Sequence, residues 1–311
     1  MSALALKGSY WVTVRQYRRT LWLTGAVVVL ALTVIGGLRI WDARFRATHE
    51  VPYAYGSGYD LLRGAMEQFS NGTVVVPLLV GAFVAGPLIA REFESGTYKL
   101  SLTQSISPKA WLRAKLVTAT AAALAATLAL MAVYLLGWVR VSGTWNFHWS
   151  DRGPYEATGT VLVAYVLLAV AVGALVGQLI RRTLPAMAVT GGVVGLILLT
   201  LGAFRWDFLS VKTITDRAYE GVSPLHAPEN GMLVDQGLLT ASGQRLPGWF
   251  CYSDSVPDGG CRFDEPIAAQ YLDYHPESHF WPTQLIETGI VLALAALAAY
   301  AAFRVLRARH P

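Results

Sequence analysis

The sequence predicts an all-α polytopic membrane protein, and three observations carry that reading. Apolar residues make up 54% of the 311 positions and charged residues only 14%, against about 25% charged in a soluble domain. The apolar residues gather into six uncharged or nearly uncharged runs, each close to the roughly 20 residues a helix needs to cross a bilayer. The basic residues sit at the ends of those runs and fall on one side if the runs are read as successive crossings, as expected of cytoplasmic segments. The net charge of +5 therefore reads as topology and not as a nucleic-acid surface.

Residues 1–20 open the chain as an amphipathic interfacial helix. Leu6, Tyr10, Val14, Tyr17 and Leu21 recur on one face, with Lys7, Arg15 and Arg18 opposite, a pattern suited to the headgroup layer. A plain basic tail is the alternative. No cleavable leader is expected, because the first apolar run is long and no small-residue cleavage site follows it. The transmembrane domain occupies 21–311, with spans at about 21–38, 73–90, 116–139, 160–180, 183–204 and 282–303. Pro77 and Pro87 fall in the second span, where each removes a backbone donor. Gly173 and Gly177 in the fourth are spaced as GxxxG, which permits close helix contact.

The connections differ in character. Residues 39–72 read as a polar outer segment. The stretch Arg91–Lys115, REFESGTYKLSLTQSISPKAWLRAK, holds five Lys or Arg and two Glu in 25 residues and reads as a cytoplasmic hinge between spans two and three. Gly96 is placed to stop the descending helix, since glycine readily takes the left-handed conformation, and Ser107-Pro108 reads as the cap and first residue of the next helix. Arg181-Arg182 makes a tight inner turn. Residues 205–281 form a long extracellular segment with 11 Asp or Glu against 5 Lys or Arg. With six spans both termini lie inside, and all four basic clusters are cytoplasmic.

Few residues carry candidate chemistry. Cys251 and Cys261 are the only cysteines; both fall in the outer segment, where an oxidising compartment favours a disulfide. Closing so short a loop would stabilise by roughly 2–3 kcal/mol. Two free thiols, or a metal pair, remain the alternatives. His275-Pro-Glu-Ser-His279 departs from the zinc-protease pattern, which needs Glu directly after the first His, so polar residues at a membrane entry point are the simpler reading. Asn71-Gly-Thr73 matches a glycosylation acceptor, a short and frequent match. Glu287 is the one acid inside an expected span; it either marks a pathway or interface or pairs with a polar neighbour. None of the five lysines follows a glycine, so no P-loop can be written, and no metal, nucleotide or other cofactor is expected on this chain.

The central stretch resembles the type-2 ABC transporter permeases, the membrane subunits of bacterial exporters, and its wording is particularly similar to actinobacterial members. The similarity rests on Arg91, Glu92, Glu94, Gly96, Thr97 and Leu100, followed by Ser105, Ser107 and a helix reaching Lys115, within a six-span chain that opens on a basic amphipathic helix. The resemblance implies that Arg91, Glu92, Glu94, Gly96, Thr97 and Tyr98 belong to a coupling helix that docks on a separate P-loop ATP-binding cassette subunit, which holds the ATP and magnesium. It implies an elbow helix at the surface, a second permease as partner, and a long outer segment, often with a disulfide, before the last span. The location implied is a bacterial plasma membrane, among its lipids. Spans with so few charges suit an amphipathic or apolar cargo such as a drug-like metabolite, lipid or peptide. A non-transporting scaffold or sensor, or a membrane enzyme using His275, Glu277 and His279, are the rival readings. The longer outer segment after the first span is a departure from the family pattern.

Overall fold

The computed structural model describes residues 14–15, 18–48, 58–98, 107–144, 147–217, 225–228, 230–247 and 267–309. The membrane body is all helical, with six helical spans long and apolar enough to cross a bilayer. We label its helices α1 (Arg18–Thr48), α2 (Gly58–Leu79), α3 (Gly86–Ser95), α4 (Pro108–Val141), α5 (Arg152–Thr158), α6 (Val161–Ile180), α7 (Thr183–Phe204) and α8 (Phe280–Arg309). Most of the expected amphipathic N-terminal helix lies outside the described residues, as do Cys251 and Cys261.

Two boundaries differ from expectation for a physical reason. Residues 39–72, read as a polar outer segment, are largely helical: Arg39–Thr48 prolongs α1 and 58–72 open α2. Charges had marked the end of the span, but these charges are paired. Arg140 Nε of α4 donates to Asp42 at 2.9 Å, Arg46 lies 3.2 Å from the same carboxylate, and the Arg140 guanidinium stacks over Tyr59. Paired ends let the helices continue past the apolar layer. At about 1.5 Å per residue, the 31 residues of α1 measure about 46 Å, longer than the roughly 30 Å hydrocarbon core.

The second span is one continuous helical rod with an interruption. Between α2 and α3 lies a π-helical segment, Val80–Ala85. Pro87 has no N–H to donate back up the helix, and the widened turn falls directly before it. The Gly86 N–H reaches back five residues to the Gly81 carbonyl. Helix α6 is the central post. Nearly all of its residues are buried, packed on α8, α3 and the π segment. Gly173 and Gly177 permit this. A side-chain carbon at Gly173 would sit 2.4 Å from the Ala85 Cβ, and one at Gly177 only 3.1 Å from the Ala90 backbone. The GxxxG motif thus serves a contact within the chain.

The segment between α7 and α8 carries a feature the sequence did not announce, a four-stranded antiparallel sheet. Its strands are β1 (Lys212–Arg217), β2 (Met232–Thr240), β3 (Arg245–Pro247) and β4 (Ile267–His275), in the order β1-β4-β2-β3. The register pairs Ile214 with Leu272 and Gly237 with Tyr271. Inside the sheet Asp273 accepts hydrogen bonds from Thr213 and Arg245. The sheet leads through a short 3-10 turn, Glu277–His279, directly into α8.

Candidate functional site

The helix α3 completes the second span on the basic side and ends where Gly96 takes φ +71°, the left-handed stop. The chain returns into α4 at Ser107, whose hydroxyl accepts from the Ala110 N–H at 3.2 Å, with Pro108 as the first helical residue. Between these ends the side chains of α3 divide by face. Arg91, Glu94, Ser95 and Thr97 are exposed, while Glu92 is buried and Phe93 and Tyr98 half-buried.

Glu92 was expected to face a partner. It points inward instead. Its carboxylate accepts from Lys115 Nζ at 2.5 Å and from Trp111 Nε1 at 3.1 Å, both on the first turns of α4. Lys115 is itself 4% exposed, so the pair is closed inside the chain and Glu92 ties α3 to α4. An apolar set completes the joint. Phe93 packs on Tyr98 at 4.6 Å and edge-on against Trp111 at 6.1 Å, and the Arg181 guanidinium lies over the Phe93 ring.

Glu94 makes a second tie while staying exposed. Its Oε2 accepts from the Thr183 backbone N–H at 2.9 Å and from the Thr183 hydroxyl. Thr183 is the first residue of α7, so this carboxylate serves as a cap borrowed from another helix and meets the positive end of the helix dipole. The short element α3–Tyr98 is therefore fixed to the second, third and fifth spans at once. The outward face left to it comprises Arg91, the rim of Glu94, Ser95 and Thr97.

At the opposite end of the body a second charged cluster is enclosed, with Arg152 at its exposed margin. Glu287 of α8 accepts Arg205 Nε at 2.7 Å, Arg205 Nη2 at 2.9 Å and the Tyr165 hydroxyl at 2.7 Å. Arg205 also lies 3.5 Å from Glu156 of α5, which pairs with Arg152 at 3.2 Å, and its guanidinium stacks over Tyr155 at 4.0 Å. Glu287 and Glu156 are fully buried, Arg205 nearly so. Two cations and two anions balance. Nearby, Gln284 donates to the Tyr155 carbonyl at 2.6 Å and accepts the Val161 N–H at 3.0 Å. Of the two readings open for Glu287, the geometry places it as a paired strut between spans five and six and α5. The sequence reading missed Arg205 and Glu156. The available signal was an Arg at the outer end of one apolar run and an acid about one turn from the outer end of another.

His275 and His279 do meet, with ring nitrogens 3.0 Å apart. Among the described residues no group of three or more His, Cys, Asp or Glu is placed to hold a metal ion. Asn71 is an exposed residue within α2.

The comparisons agree with this architecture. A family model described as ABC-2 membrane transporter related matches residues 23–205, more than half of the chain. No curated protein and no solved structure matches it. The matched region runs from α1 to the first residue after α7 and so contains α3 and its ties. This is a family of membrane-embedded permeases that work with an ATP-binding subunit and are not themselves catalytic. A multi-pass body of six apolar spans with this region at its centre is a permease-type transporter subunit, and the chain belongs to the ABC-2 membrane transporter related family.

Proposed function

We propose that the chain is the membrane subunit of an ATP-driven exporter in a bacterial plasma membrane, acting as a pair of permeases with two separate ATP-binding subunits. The observation that carries this reading is the fixing of one short charged surface to three spans. A partner that grips Arg91, Glu94 and Thr97 differently in two states displaces the basic-side ends of spans two, three and five together, because Glu92–Lys115 and Glu94–Thr183 prevent α3 from moving alone. Rigid-body transmission of this kind requires differential contact by the partner and nothing more. ATP and magnesium stay on that partner.

The cargo is amphipathic or apolar. Supporting this, the ionised groups of the body at Asp42, Glu92, Glu156 and Glu287 are each matched by a cation of the same chain, which leaves apolar wall as the main lining available to a solute. Recovery of the tagged chain from its native membrane, followed by mass spectrometry and an ATPase assay, tests the reading. A stoichiometric P-loop ATPase is expected, with retention lowered by the outward-facing pair Arg91→Glu and Glu94→Lys while thermal unfolding moves little. Recovery alone, or with receptor-like partners, overturns it and makes the acidic outer segment of a scaffold or sensor the centre of interest.

A further inference from the structure

Between α1, α2 and α4 runs a cavity of about 600 Å³, within the range of ligand pockets of roughly 300–1,000 Å³. Along α1 it extends from Thr20 to Ile35, about 22 Å at the helical rise. That is longer than one leaflet's half of a roughly 30 Å hydrocarbon core. Dividing the volume by the length leaves a mean section of about 27 Å², enough for one extended hydrocarbon chain.

The walls specify the chemistry of that chain. Among the described residues, no Asp, Glu, Lys, Arg or His lines the cavity. Thr24, Thr73, Thr118 and Thr127 line it, but each hydroxyl already donates to a carbonyl of its own helix, at 2.9, 2.7, 2.8 and 2.8 Å. Water needs two to four polar partners to be held, and the walls offer little beyond Thr20 and Gln68. An empty slot forfeits dispersion contacts on every wall, whereas the surrounding bilayer supplies hydrocarbon chains of this section.

The basic-side end adds charge. A second depression adjoins the slot there, sharing Val14 and Leu21 with it and contributing Arg15 and Arg18. Both arginines are exposed and stand at the end of α1, where a headgroup would lie above a chain entering the slot. Guanidinium is well matched to phosphate oxygens. We propose that the slot holds one acyl chain of an anionic phospholipid from the leaflet on the basic side, with its phosphate at Arg15 and Arg18. The site belongs to a single copy of the chain and does not depend on the transport cycle.

Photo-crosslinking tests this in nanodiscs, using phosphatidylglycerol or phosphatidylcholine with a photoreactive group in the acyl chain. The phosphatidylglycerol probe is expected to label peptides of α4 around Thr118–Leu130 and to be favoured over phosphatidylcholine. Arg15→Gln with Arg18→Gln should reduce that preference by roughly fivefold per arginine. Gly72 lines the slot, and a side-chain carbon there meets nothing within 4 Å; Gly72→Leu adds apolar bulk from this open position, suits a helix better than glycine, and should abolish α4 labelling with the thermal transition kept. Equal labelling by both lipids, or labelling indifferent to Gly72→Leu, overturns the proposal. So does competition by glycerol 3-phosphate alone, which would mark a phosphate site with no chain. Crosslinks between α1 of one copy and α4 of another would assign the slot to an assembly contact and overturn it as well.

Discussion

The two ends of the membrane body treat their charges in opposite ways. At the far end Arg205, Glu287 and Glu156 are enclosed and pair with one another, one oxygen of Glu156 staying without a hydrogen bond, with Arg152 at the margin. At the basic end, among the described residues, only Glu92 and Lys115 are enclosed, while Arg91 and Glu94 are left exposed on the same short helix. An enclosed balanced cluster gives a strut, because breaking it strands a charge away from water. An exposed charge contributes little to stability and is free to serve recognition. The chain has one braced end and, on the basic side, a half-open one.

Substitutions sharpen that contrast. The largest effect is expected for Glu287→Leu, which leaves Arg205 buried with only the longer contact to Glu156; a loss of about 4–5 kcal/mol should appear as a lowered unfolding temperature in detergent. Adding Arg205→Met should restore part of it, since an apolar pair replaces a buried ion pair at little cost. Glu92→Ala comes next, at about 3 kcal/mol, because Lys115 loses its counter-ion and Trp111 its acceptor. Glu94→Ala removes a cap and should cost less than Glu92→Ala while lowering stimulation of the partner ATPase more than Glu92→Ala does per unit of stability lost. Equal stability losses at Glu92 and Glu94 would erase the distinction between strut and surface.

The smallest effect is a pH dependence in the outer sheet. Burial and the neighbouring His279 ring hold His275 below the ordinary histidine range, against the pull of the Trp206 backbone and Asp207. A histidine depressed in the fold takes up its proton more readily when unfolded, so stability falls as pH drops below the ordinary histidine value. Burial raises the Asp273 carboxyl, but hydrogen bonds from Thr213 and Arg245 outweigh it and leave it lowered; its contribution is present above the ordinary Asp value and disappears at lower pH still. Trp206 stacks 5.8 Å from His275, so its fluorescence followed from pH 7.5 down to pH 4 should change first with His275. A flat profile over that interval would contradict the direction given for His275.

The six spans were legible because apolar length is a one-dimensional property of the sequence. Their ends were not. Asp42 and Arg140 look like stop signals until each is known to neutralise the other across 98 positions. The sheet was hidden for a related reason. In β1, Lys-Thr-Ile-Thr-Asp-Arg, only Ile214 is even partly buried, so it shows little apolar alternation. At the candidate site the residue types of α3 were legible, but the face each one takes was not. Glu92 and Glu94 are two positions apart, and on a helix that spacing sends them in different directions.

The π segment at Val80–Ala85 gives the second span one residue of slack. A π turn is an α-helix holding an extra residue, so a single deletion there can be absorbed by a return to ordinary helical geometry, with both halves of the span keeping their facing. The same deletion in α3 ahead of Glu92 would turn everything beyond it by about 100° and take Glu92 out of its buried position. Insertions and deletions in this span therefore have one tolerant address, immediately above Pro87, and the surface below it is read in a fixed register.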